Sequence, residues 1–245
     1  MKRLLSVVVS AGTLSLMPQA ALPGALYEAV ITGDFPTVSR YVASGYFEDV
    51  GDLGTALNAA IAVGDTDITL LLIDHGAGLE ASRNASGMRP LHAAANYKKP
   101  TLVSLLLARG AKVDARDGFG RTPLLIASRL GDTETARRLL DHGADVNATA
   151  SANFTPLHWA VHLGRRDLFN MLIDFGADVN ALSIHGESPL HLAATQGSSE
   201  MIGRLTALGA DLNIRGRDGQ TPLMLAKGSN NDEAAALLIR LGAIR

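Results

Sequence analysis

The chain has 245 residues, 47% of them hydrophobic, with a formal net charge of −2 and no cysteine. A balance this near zero, without any basic run, lacks the clustered Lys and Arg that phosphate binding needs, so no nucleic-acid partner is expected. No stretch reaches the roughly 20 apolar residues of a membrane span, and no disulfide framework can staple the fold.

In chain order the first feature is the N-terminus. Met1-Lys2-Arg3 is a short basic head, Leu4 to Met17 carries no charge, and Pro18-Gln19-Ala20-Ala21 follows with small residues. This order resembles a bacterial secretory signal peptide, with an apolar core too short to span a membrane. Residues 1–21 are therefore expected to direct export, giving a periplasmic or secreted protein. Cleavage after Ala20 or Ala21 puts Pro18 or Gln19 at the third position upstream. The alternative is a buried N-terminal capping helix in a cytoplasmic protein, for which Ser10, Gly12, Ser15 and Pro18 are poor material.

Beyond residue 21 the chain repeats. Pro90, Pro123, Pro156, Pro189 and Pro222 stand 33 residues apart, each followed by Leu. Each heads a unit that closes on a Gly-Ala pair: Gly110-Ala111, Gly143-Ala144, Gly176-Ala177, Gly209-Ala210 and Gly242-Ala243. A fixed period of this size means a stack of one small unit, each burying its apolar face on its neighbours. Upstream, Leu57, Gly64 and Gly76-Ala77 keep the offsets with Ala56 in place of proline; Leu26, Gly33 and Gly45 keep them in a degenerate first unit. Seven units result: roughly 22–49, 50–83, 84–116, 117–149, 150–182, 183–215 and 216–245, with no linker between them. The N-terminal joints are irregular, since Leu26 to Leu57 is 31 residues and Leu57 to Leu91 is 34.

Within a unit, proline belongs in the first turn of a helix, where its missing N–H costs nothing. Thr122, Thr155, Ser188 and Thr221 precede it and supply N-cap oxygens. The helix runs to Gly131, Gly164 or Gly197, where glycine takes the left-handed conformation that ends it. Asp65, Asp132 and Ser198 then cap a second helix with apolar residues at helical spacing, such as Leu168, Phe169, Met171, Leu172 and Ile173. Lys98 and Asn230 replace the joint glycine, and local distortion is expected around Tyr97-Lys98-Lys99-Pro100. The fold class that follows is all-α: a solenoid of about seven helix–turn–helix repeats joined by β-turn or hairpin loops.

The strings Arg89-Pro90-Leu91-His92, Thr122-Pro123-Leu124-Leu125, Thr155-Pro156-Leu157-His158, Ser188-Pro189-Leu190-His191 and Thr221-Pro222-Leu223-Met224 resemble the Thr-Pro-Leu-His signature of ankyrin repeats. The endings Gly143-Ala144-Asp145-Val146-Asn147-Ala148 and Gly176-Ala177-Asp178-Val179-Asn180-Ala181 resemble it too. The resemblance implies a non-catalytic scaffold that binds another protein through a concave face made of turn tips and the inner side of first helices. Mapped here, the binding candidates are Met88, Tyr97, Phe119, Arg121, Arg129, Leu130, Phe154, His162, Ile184 and His185. The histidine slot, His92, His158 and His191, is expected to hydrogen-bond between neighbouring turns, and Trp159 to serve core or inter-repeat packing rather than binding. Rival roles stay open: a cytosolic or host-directed regulator, or an immunity or chaperone-like inhibitor of a specific enzyme.

No catalytic constellation stands out. Cysteine is absent, and neither a Gly-x-Ser-x-Gly elbow nor a Walker-type loop occurs. His158 and His162 lie four apart on one helix but have no third ligand at metal spacing, so no metal or cofactor is expected. Asp114, Asp145, Asp178 and Asp211 read as one recurring scaffold position.

Overall fold

A computed structural model of the chain describes residues 24–45, 50–82 and 86–244. The expected export segment, residues 1–21, lies outside them. Among the described residues there are fourteen helices and no strand, the all-α array of paired helices that the period predicts. The chain divides into two compact units, one running to Gly78 and one starting at Leu79.

The first unit holds α1 (Ala25–Thr32), α2 (Phe35–Ser44), α3 (Val50–Val63) and α4 (Thr66–Asp74). α1 packs on α2 and α3, and α4 packs on α2 and α3, around the buried Leu26, Val30, Leu57, Ile61, Ile68 and Leu72. The Asp34 and Asp65 carboxylates accept the Thr37 and Ile68 amides at 3.1 and 2.9 Å and cap α2 and α4. α3 is 14 residues long, whereas the proline-headed first helices downstream have seven. Proline disfavours helical geometry in the residue before it. With Ala56 in that slot nothing stops the helix, and it extends upstream to Val50.

The second unit continues the pairs: α5 (Pro90–Asn96) and α6 (Pro100–Ala108), α7 (Pro123–Arg129) and α8 (Thr133–Asp141), α9 (Pro156–His162) and α10 (Arg166–Asp174). They are followed by α11 (Pro189–Thr195) and α12 (Ser199–Ala207), then α13 (Pro222–Gly228) and α14 (Asp232–Leu241). The first helices α5, α7, α9, α11 and α13 stack in sequence, and each packs on its own second helix. Ala94, Ala127, Ala160, Ala193 and Ala226 are buried along this row and permit the close approach. Leu91, Leu124, Leu157, Leu190 and Leu223 are buried beside them, each burial stabilising by ~1.5–3 kcal/mol.

Helix ends follow the local chemistry. The hydroxyls of Thr122, Thr155, Ser188 and Thr221 accept amides three residues on. Gly131, Gly164 and Gly197 take positive φ at the joints. Lys98 and Asn230 take it as well, with φ of 54° and 57°. The Lys98 and Lys99 amides donate to Ala95 and Ala94, as the Gly131 and Asp132 amides donate to Ser128 and Ala127. The distortion expected around Tyr97–Pro100 is thus absent. The repeat imposes its joint geometry on a residue with a Cβ, at a cost of about 1 kcal/mol.

Three sets of bonds tie neighbouring repeats of this unit. Turn backbones join through Gly118 N–H to Ser86 O, Ile184 N–H to Ala152 O and Arg217 N–H to His185 O, at 2.9–3.0 Å. These single bonds make turns, not a ladder. Gly186 is obligatory there, because a Cβ would run into the Arg217 amide nitrogen. On the other side, Asn147 accepts the Asp178 amide and Asn180 accepts the Asp211 amide, both at 2.9 Å. Asp114 accepts the Asp145 amide in the same manner. Asp114 therefore occupies the slot of Asn147 and Asn180, not that of Asp145, Asp178 and Asp211, which corrects the single recurring position expected above. The third set is the histidines.

Candidate protein-binding site

Each slot histidine uses both ring nitrogens. His158 Nδ1 accepts the Thr155 amide at 3.1 Å, and its Nε2–H donates to Glu187 O of the next turn at 3.0 Å. His191 does the same between the Ser188 amide and Gln220 O, and His92 between the Arg89 amide and Arg121 O. Burial lowers the pKa of all three, against the opposing pull of those carbonyls, so the rings are neutral. Fully engaged nitrogens leave His158 nothing to offer a metal, and no cluster able to hold an ion occurs among the described residues.

The turn tips and first-helix ends lie on the side of this row that the second helices leave open. Phe119 is 56% exposed, Tyr97 49% and Ile184 48%. Arg129, His162 and His185 are exposed, while Met88, Leu130 and Phe154 are half-buried. Tyr97, Leu130 and Leu163 hold the same slot on successive first helices, as do Asn96, Arg129 and His162.

Two groupings form among these residues. The first is the tip of the fourth repeat. Asp117, its side chain fully buried, accepts the Phe119 and Arg121 amides at 2.9 Å and the Arg121 guanidinium at 2.7 Å. Desolvation works against that charge, but the Arg121 and amide hydrogen bonds outweigh it and hold the carboxyl below its usual range. The Arg121 guanidinium also lies 4.9 Å from the Phe119 ring centroid. Arg121 is therefore committed to its own turn. As a binding candidate it is thus set apart from the others, because removing it would strand a buried carboxylate.

The second grouping was missed from sequence in one part. Trp159 is half-buried, not enclosed in the core, with the Phe154 ring 5.3 Å away and the His162 ring edge-on at 5.9 Å. Phe154 also lies 5.0 Å from the His158 ring. Gln196 of the sixth repeat donates to the His162 carbonyl at 2.9 Å, so the cluster is braced from the next helix. The available signal was the i, i+3 spacing of Trp159 and His162, which shares one helical face.

No helix among the described residues is long and apolar enough to cross a membrane. Comparison with protein-family models matches ankyrin repeats over residues 26–117 and 93–183, and again over residues 172–226. Comparison with curated proteins finds no match.

Proposed function

The chain belongs to the ankyrin repeat family, and on that premise we propose that it is a non-catalytic scaffold holding another protein on the first-helix and turn-tip side of its second unit. The observation that carries this reading is a division of labour within each repeat. Leu157, His158 and the cap oxygens are buried and spent on the frame. Phe119, Tyr97, Ile184, Arg129 and Trp159 stand on the open side, where aromatic and arginine side chains dominate interface energetics.

Alanine at Phe119, Arg129, Phe154 and His162 is expected to weaken capture of the partner about tenfold or more. Arg121 is left out, because its loss would unsettle Asp117. The control replaces Arg137, Arg138, Arg166 and Asn170, exposed on second helices. Quantitative capture from an envelope extract, with a melting curve for each variant, decides it. Loss of capture in the second-helix set with the first set intact would place binding on the back of the array.

The scaffold acts outside the cytoplasm, in the periplasm or after secretion. The support is the basic head at residues 1–3 and the uncharged run from Leu4 to Met17. N-terminal sequencing of protein recovered from the cell envelope is expected to begin near Ala21. An intact Met1 on cytoplasmic protein would refute export.

A further inference from the structure

Resting on the binding reading above, the chemistry of the open side also specifies what kind of partner fits it. Trp159 is the chain's only tryptophan, and it stands in a slot that neighbouring first helices fill with Ile126 and Leu192. The frame therefore needs only an aliphatic residue there. Trp159 and Phe154 are both half-buried, their rings 5.3 Å apart and inclined at 57°, an aromatic corner suited to anchoring one bulky apolar side chain.

Three exposed cations stand at the helix joints, toward the ends of the first helices. Arg129 precedes the Gly131 joint by two residues, and the Arg165 side chain of the next repeat lies over Gly131, its Nε 3.0 Å from where a Cβ would be. His162 is on the intervening helix end and Lys98 on the joint one repeat back. Lys98, Arg129 and Arg165 are exposed and make no ion pair among the described residues. Of the nearby carboxylates, Asp132 caps α8 through Oδ1 and keeps a buried Oδ2 without a hydrogen-bond partner, and Asp167 stands in the first turn of α10, so three cations face two acidic groups. Glu187 stands on the turn before α11, where its carbonyl accepts His158 Nε2–H. A local excess of positive charge on a chain of net charge −2 is a selective feature, since charge complementarity chooses partners and suppresses wrong ones.

We infer that this face receives an acidic segment of the partner protein, with one aromatic or large aliphatic residue seated on Phe154 and Trp159. Its carboxylates lie toward Arg129, Arg165 and Lys98. A nucleic acid fits less well: three fixed cations neutralise too few phosphates for appreciable affinity at physiological salt.

Selection of a random peptide library on the full-length protein tests this, with single-stranded DNA as a parallel probe. The enriched peptides are expected to be net acidic with an aromatic or Leu-like residue, to change Trp159 fluorescence on binding, and to weaken as salt rises. Trp159→Leu keeps the slot's own residue type and is expected to weaken them about tenfold, as is Arg129→Glu. Basic or uncharged peptides that still depend on Trp159 would overturn the acidic partner and leave the binding face standing. Acidic peptides indifferent to Trp159 and Arg129, but lost with the second-helix set, would overturn the face itself. Tighter binding of single-stranded DNA than of any peptide, or failure to enrich any peptide, would also overturn the inference.

Discussion

Replacing Leu157 by Ala is expected to destabilise the protein by ~2–5 kcal/mol, enough to shift a denaturant midpoint far below that of the wild type. Leu157 is fully buried in α9, at the middle of the first-helix row, where it packs within its own repeat and between two neighbours. Interiors are close-packed, so the removed methyls leave a cavity on top of the lost transfer energy. In a stacked array each repeat is stable only through its interfaces, and damage at the centre weakens two of them together. The matched surface change is Arg166→Ala, which removes an exposed 2.5 Å pair with Glu200 and is expected to cost no more than about 0.5 kcal/mol. Urea melts of both variants check this; coincident midpoints would refute it.

Acidification is expected to loosen the array as the pH falls below about 6.5, through its buried histidines. The pKa values of His92, His158 and His191 are lowered by burial from the ordinary value of 6.5. In the unfolded chain these rings take up protons as the pH falls through about 6.5, while the folded rings stay neutral. The unfolded state then binds more protons, so stability falls with pH, by at most about 1.4 kcal/mol per pH unit for each histidine. The contribution is fully present above about pH 6.5 and is lost as the pH drops from there toward the folded values. Geometry supplies the reason: a charged ring has no lone pair at Nδ1 to accept the cap amide. Comparing melts at about pH 7.5 and about pH 5 tests it, the lower pH lying above ordinary carboxylate titration. Replacing all three by Leu, the residue at this slot in the fourth repeat, should flatten that dependence. Equal wild-type stability at both values would refute the role of these rings.

Much of the frame is readable from residues alone because its rules are local. A proline after Thr or Ser starts a helix within three residues, and a glycine seven or eight residues on ends it. The 33-residue period then copies the result along the chain. The missing proline at Ala56 was just as visible, yet its consequence, a helix twice as long, depends on whether upstream residues find a place to pack. Lys98 shows the opposite case. Its intrinsic preference argues against a left-handed joint, and the packed helices on both sides impose one.

The sequence by itself determined the repeat, its period, its caps and the histidine slot, because each rests on bonds between residues a few positions apart or on exact recurrence. Only the tertiary structure decided which varying side chains are free. Arg121 and Phe119 look equivalent as turn-tip residues, but Asp117 is buried and claims the arginine. Trp159 reads from sequence as a packing residue, but its slot is only half-buried here, as it is at Leu192, and the ring stays partly in solvent beside Phe154. Burial and partnership are properties of the space around a side chain, and that space is assembled from residues a full repeat away.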